Sequence, residues 1–251
     1  MCGALSVRIE KGKLYAVITG DIVKSSELDV KARRALFGAM REVGDQLRDW
    51  LGETVMPYPL DIFGGDGWQL LLADPERALD AAVFFRAGLM ARMGKRRPKY
   101  KVDTRMVIAI GEVDFIPGNR VSEGEGWAFR ESGRALADKK TVHRMRLLVP
   151  ERYSIQGWKE SVILLDAILR WRLTQVRAKV LVGALSGLGQ REIGDLMSPR
   201  ISQPSVARHL KSTDWVTVSE CLREFANQWH RGRLLKGAKA KVLHNLKRLY
   251  R

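Results

Sequence analysis

The sequence predicts an α+β chain: a ferredoxin-like (βαββαβ) sheet domain over 1–155, an all-α domain over 156–230, and a basic tail over 231–251. Three observations carry this. In the first 150 residues, short β-branched apolar runs alternate with stretches whose apolar residues recur every three or four positions, the mixed signature of strands and helices. Beyond that point only the helical periodicity remains. Charge divides at the same place: residues 1–150 carry 25 Lys and Arg against 20 Asp and Glu, and residues 151–251 carry 19 against 8.

"KLYAVITGDI" (13–22) is an apolar, β-branched run ending in Gly20-Asp21, a buried strand. Ser25 and Ser26 are candidate N-caps for a helix through 27–51, in which Leu36, Met40, Val43, Leu47 and Trp50 share one face. Two strands, roughly 54–63 and 67–73, flank the glycine turn of "DIFGGDGWQLLL". A helix over 75–94 follows, with Asp74 as N-cap and Pro75 at its first position. Then come a strand over 101–115, a short helix over 126–140 and a last strand over 144–150. The order strand–helix–strand–strand–helix–strand is that of the split βαβ unit, with helices on one face of the sheet. The remainder reads as two helices meeting near Thr174, a short helix over 189–197, a turn, a helix over 202–213 and an amphipathic helix over 214–232.

Composition excludes several classes. No apolar run reaches the ~18 residues of a membrane span, and the N-terminus has no secretory pattern. Cys2 and Cys221 lie far apart and the four histidines form no ligand spacing, which argues against zinc and for a reduced, cytoplasmic protein. The surplus of base, with eight basic residues and no acid in "RGRLLKGAKAKVLHNLKRLYR", points to a polyanion partner. Nucleic acid comes first, then an acidic membrane surface, with a solvated tail as the plain alternative.

The hairpin sets Asp66 on a glycine-rich turn, and the expected topology sets Asp21 beside it. Two aspartates on adjacent strand ends suit Mg²⁺ or Mn²⁺, which take a few carboxylate oxygens and complete their shell with phosphates and water. Backbone N–H groups of Ile22, Val23, Lys24, Ser25 and Ser26, with Gly65 of the hairpin, could then cradle the phosphates. The same residues also fit an ordinary loop acid and a turn former, since Asp-Gly between apolar runs is a hairpin signal by itself. Spacing alone leaves both readings open.

Four stretches in order carry a resemblance. "ITGDIVKSSEL", "FGGDGWQLLL", "RMVIAIGEVDF" and "GWAFRESGRALADK" make residues 14–140 similar to the catalytic domain of the class III nucleotidyl (adenylyl/guanylyl) cyclases. "GGD" also resembles the diguanylate cyclase hairpin, although Gly67 stands where a second acid is usual. The resemblance implies metal binding by Asp21 and Asp66, a phosphate-cradling loop at 22–26, a helix arginine at Arg134, and a head-to-tail homodimer. Two positions depart: Arg130 replaces the helix asparagine and Ile62 the purine-reading hairpin lysine. Arg130 and Arg134, four residues apart, could still grip a polyphosphate, or pair with Glu131 or Asp138. Binding of a nucleoside triphosphate or other nucleotide is therefore expected at least as much as cyclase or related nucleotidyltransferase activity. In an active enzyme Arg134 is the catalytic candidate.

"QVRAKVLVGALSGLGQREIGDLMSPRISQPSVARHLKST" (175–213) has the cadence of a helix-turn-helix, here placed at about 176–213. Ile193, Leu196, Ile201, Val206 and Leu210 would form its small core, leaving Ser202, Gln203, Ser205, Arg208, His209 and Lys211 to meet DNA in the major groove. A plain helical bundle, or a helix-turn-helix making only protein contacts, is the alternative. Both halves together resemble the SatD family, a short cyclase-like palm joined to a C-terminal helix-turn-helix. The resemblance supports that architecture, and the first expectation drawn from the residues is a DNA-binding regulator with a nucleotide- and metal-binding sensor domain. An active enzyme, or a palm that serves only as a dimerisation scaffold, are the alternatives.

Overall fold

β1 (Leu14–Ile22) is the centre of the sheet because its side chains are apolar on both faces. Successive residues of a strand point to opposite sides. Ala16, Ile18 and Ile22 enter one apolar core, while Tyr15 and Val17 enter another. In the computed structural model, which describes residues 9–93, 102–153 and 156–229, the fold is mixed α+β. It has a five-stranded sheet of order β2-β3-β1-β4-β5, with β2 (Asp61–Phe63), β3 (Gly67–Leu72), β4 (Thr104–Glu112) and β5 (Met145–Leu148). All neighbouring strands are antiparallel except β4 and β5, which run parallel.

Helix α1 (Val30–Leu51) and helix α2 (Ala78–Met93) pack on the Ala16/Ile18 face. Helix α3 (Trp127–Ala137) covers the other face, where Ala128 and Phe129 join Tyr15, Val17 and Ala109. Helices on one face only were expected. The second layer arises because Gly111 of β4 leaves room for Trp127: a Cβ there would lie 2.4 Å from the indole ring.

Element ends also differ from the sequence reading, for local reasons. Asp29 is the N-cap of α1, accepting from the Ala32 N–H at 2.7 Å, while Ser25–Glu27 form a separate turn of 3-10 helix. β2 starts at Asp61 instead of near 54. Pro57 and Pro59 interrupt the run, and Arg48 of α1 takes the Met56 and Pro57 carbonyls at 3.1 and 3.2 Å, so these groups serve no ladder. Pro75–Arg77 form a 3-10 turn ahead of α2, and Asp74 makes no side-chain cap.

The C-terminal helices are α4 (Trp158–Arg172), α5 (Gln175–Leu185), α6 (Gln190–Leu196), α7 (Gln203–Ser212) and α8 (Trp215–Trp229). Thr174 caps α5, its side chain accepting from the Arg177 N–H. α2 is apolar all round, the mark of a helix buried on every side. The sheet and α1 lie against one part of it and α5 against another. One apolar core thus runs without a break from Ile18 through Phe84 to Val182, Val206 and Phe225.

A charge network is sealed inside the same region. Arg86 of α2 grips Asp103 with two N–H groups, at 2.8 and 3.0 Å, and Asp166 of α4 with a third at 2.7 Å. Arg144 joins both acids, pairing with Asp103 by its guanidinium and giving its backbone N–H to Asp166 at 2.9 Å. The side chains of Arg86, Asp103 and Asp166 are 0% exposed.

Candidate functional site

Asp21 stands at the end of β1 in register with Gly67 of β3 and Arg105 of β4. The strand before it can reach this position only with glycine at 20, where a Cβ would sit 2.4 Å from the Trp68 ring and 2.6 Å from the Arg105 carbonyl. Arg105 holds both oxygens of Asp21, with Nε 3.0 Å from Oδ1 and Nη2 on Oδ2. The hydrogen bond to Asp21 raises the Arg105 pKa against the effect of burial, and the charges of Asp138 and Asp66 add to it.

Asp66 closes the hairpin loop that follows Gly64 and Gly65, whose φ values of +58° and +97° favour glycine. Its Oδ2 accepts from the Ser25 hydroxyl, which ties the hairpin to the 22–26 loop. Within that loop Lys24 adopts a left-handed backbone, φ +60°. The N–H groups of Val23, Glu27 and Leu28 donate to Asp103, Lys24 and Ser25 carbonyls, which leaves those of Lys24, Ser25 and Ser26 without a backbone acceptor among the described residues. Ile22 is different: its side chain is buried in the core below.

A cavity of about 560 Å³ opens on the α3 side of this strand end. Thr19, Asp21, Gln69 and Arg105 form its floor, Phe63 one wall, and Phe129 and Arg130 of α3 another. Arg130 lies at the rim, 3.6 Å from Asp114, with Lys139 nearby. Burial lowers the Arg146 pKa; Asp138 counters this and the nearby Arg105 charge reinforces it. The cavity lining carries Arg105, Arg130 and Lys139 against Asp21 and Glu125, with Phe63, Phe129 and Leu136 as apolar wall.

Of the residues expected here, Asp21 and Arg130 line the cavity; Asp66, Gly65 and the 22–26 loop do not, though the Asp66 charge acts on Arg105 and its carboxylate is held by Ser25. Arg134 does not: it is 76% exposed and pairs with Glu131 at 2.8 Å. Ile62 packs against the core on the opposite face of the sheet. Sequence reasoning missed Arg105 as Asp21's partner, and also missed Gln69, Thr19 and Lys139. The signal for Gln69 was one polar residue inside the apolar strand "GWQLLL". Among the described residues no three His, Cys, Asp or Glu gather into a metal cluster, so an ion at Asp21 and Asp66 would need ligand oxygens to complete its shell.

In the helical part, Ile193 and Val206 are fully buried and Leu210 nearly so, with Leu196 and Ile201 packed beside them. Gly194 allows α6 and the chain entering α7 to meet, its would-be Cβ lying 2.5 Å from the Ile201 carbonyl. Ser202, Gln203, Arg208 and Lys211 are exposed, while Ser205 and His209 are half-buried. The Ser202 and Ser205 hydroxyls bond to each other at 3.0 Å. Burial lowers the His209 pKa, and the charges of Arg177 of α5 and Arg208 of α7 lower it further. The basic tail lies outside the described residues. No helix among those described is long and apolar enough to cross a membrane. No protein-family model matches the chain, and no curated protein matches it either.

Proposed function

We propose that the chain is a DNA-binding regulator whose sheet domain binds a nucleotide polyphosphate together with Mg²⁺ or Mn²⁺. The observation that carries this is the cavity at the end of β1. An acid–arginine pair lies in its floor, Arg130 and Lys139 stand at its edge, and three N–H groups of the adjoining loop lack backbone acceptors. The antiparallel order β2-β3-β1-β4 supports a ferredoxin-like palm, and the packing of α5, α6 and α7 supports a helix-turn-helix.

The donor set suits a hard divalent ion in kind, being carboxylate oxygen at both Asp21 and Asp66. Asp21 becomes available when Arg105 turns from it to a phosphate, so ion and polyphosphate should enter together. The bound ion would neutralise phosphate charge. Arg105 would orient the same group, and Ser25 would hold Asp66 in place. The outward-facing Arg134 and the buried-side Ile62 favour binding over turnover. A homodimer, as the resemblance implies, completes the proposal and suits a two-fold DNA site.

Calorimetry with ATP and GTP, with and without Mg²⁺ or Mn²⁺, tests the sensor. Wild type should bind more tightly with the ion, and Asp21→Ala/Asp66→Ala should lose that increment. Absence of metal-dependent binding would sink the proposal, whereas product made by wild type and not by the double variant would replace it with an enzyme. For DNA, affinity for duplex should fall steeply with salt, and Arg208→Ala or Lys211→Ala should make the slope shallower by about one each. A flat salt dependence refutes the DNA surface.

A further inference from the structure

The floor of the cavity holds a series of polar contacts that ends at a hydrogen-bond acceptor, the Gln69 side chain. Ser132 Oγ donates to the Phe129 carbonyl at 3.1 Å in the preceding turn of α3. A serine hydroxyl has one proton. Either hydroxyl can donate at the 2.7 Å contact between Thr19 Oγ1 and Ser132 Oγ; with the Ser132 proton on the carbonyl, the donor is Thr19. Its proton is then used, so Thr19 accepts at its 2.7 Å contact with Gln69, and the amide group facing it must be Nε2. The Phe129 carbonyl, which can only accept, thus polarises the whole series. Thr19, Ser132 and Gln69 are 4%, 0% and 6% exposed. A flipped amide would set Oε1 against an oxygen with no proton to give. Gln69 Oε1 has no hydrogen-bond donor among the described residues, and Gln69 lines the cavity.

We infer that Gln69 Oε1 accepts a sugar hydroxyl of the phosphorylated ligand, so that the cavity selects ribonucleotides over their deoxy counterparts. The inference rests on reading the cavity as a nucleotide site. Gln69 is in register with Thr19, two residues along β1 from Asp21 and on the same face. That is about 7 Å along the strand from the Asp21–Arg105 pair that would meet phosphate. The hydroxyls of a ribose lie within that reach of its own 5′-phosphate, and the far edge of a purine lies beyond it. Gln69 is then a specificity-determining residue, while Thr19 and Ser132 position it.

The test is calorimetry on the full chain with Mg²⁺, using ATP, its 2′-deoxy, 3′-deoxy and 2′,3′-dideoxy forms, and inorganic tripolyphosphate. Loss of the accepted hydroxyl should weaken binding on the order of tenfold. Gln69→Leu should erase that difference and leave tripolyphosphate affinity unchanged. Ser132→Ala, a smaller change, frees the Thr19 proton to turn back toward the amide, which can then flip; it should narrow the difference with Gln69 still present. Equal binding of ATP and the dideoxy form by wild type, or a preference that survives both substitutions, overturns the inference alone. If neither tripolyphosphate nor any nucleotide binds, the nucleotide-site reading fails and this inference with it.

Discussion

Replacing Arg86 by methionine should be among the most damaging single changes in this chain. The guanidinium makes charge-assisted bonds of 2.8, 3.0 and 2.7 Å to Asp103 and Asp166, and all three side chains are fully buried. Methionine fills much of the volume and satisfies neither acid. Removing one partner of a buried ion pair costs roughly 3–5 kcal/mol, because the remaining charge is left uncompensated. For a chain of this size that corresponds to a fall of roughly 6–20 °C in Tm. The cost should also depend on pH. In the native protein burial works to raise the Asp103 pKa, but Arg86 and Arg144 outweigh it and hold the group below the usual value of 3.8. A depressed acid contributes stability above its unfolded pKa and loses it as pH falls through the folded one. Without Arg86 the burial effect dominates, Asp103 rises, and protonation relieves the variant as pH falls. Urea unfolding at pH 7 and pH 4.5 should therefore show the gap between Arg86→Met and wild type narrowing in acid. Adding Asp103→Asn and Asp166→Asn should recover part of the loss. A gap below about 1 kcal/mol at pH 7, or one indifferent to pH, refutes the account.

Three further changes test other parts of the structure. Asp80 is pushed up to about 6 by burial, which Arg77 partly offsets and Glu76 reinforces, so its contribution favours the folded state as pH falls below 6 and is lost above it. The stability difference between wild type and Asp80→Asn should accordingly change by roughly 2 kcal/mol between pH 4 and pH 7 in urea titrations, the variant gaining at pH 7. Gly20→Ala forces a methyl against the Trp68 ring and the Arg105 carbonyl, and should cost about 1–3 kcal/mol by thermal unfolding. Asp29→Ala removes the cap of α1 and should cost about 1 kcal/mol by the same measurement, whereas Ser26→Ala should cost little.

Much of the arrangement is legible before the fold is known, and the rest depends on pairings that only the fold supplies. The apolar, β-branched run of "KLYAVITGDI" and the glycine turn before Asp66 suffice to put Asp21 near the hairpin, because strand ends and tight turns are written in local residues. Arg105 is not legible as the partner of Asp21, since cross-strand register is a property of two distant segments. The series Gln69–Thr19–Ser132 needs both that register and the placing of α3 on the second face, which Gly111 makes possible. The break in charge near residue 150 is plain in the sequence, yet the apolar core does not part there. The signal for this was the continuous apolar character of α2, which a helix with an open face would not need.

That enclosure of α2 bears on how the chain is made. Synthesis delivers Met93 well before Gln175, so α2 must wait for the helix that closes over it. During the wait a nascent chain carries an uncovered greasy flank with Arg86 embedded in it and Asp166 still to come. Domains usually complete themselves in order as they emerge. Here the first half reaches its final packing only when the second half arrives, and a polypeptide released early would be a client for chaperones or proteases, not a free-standing domain.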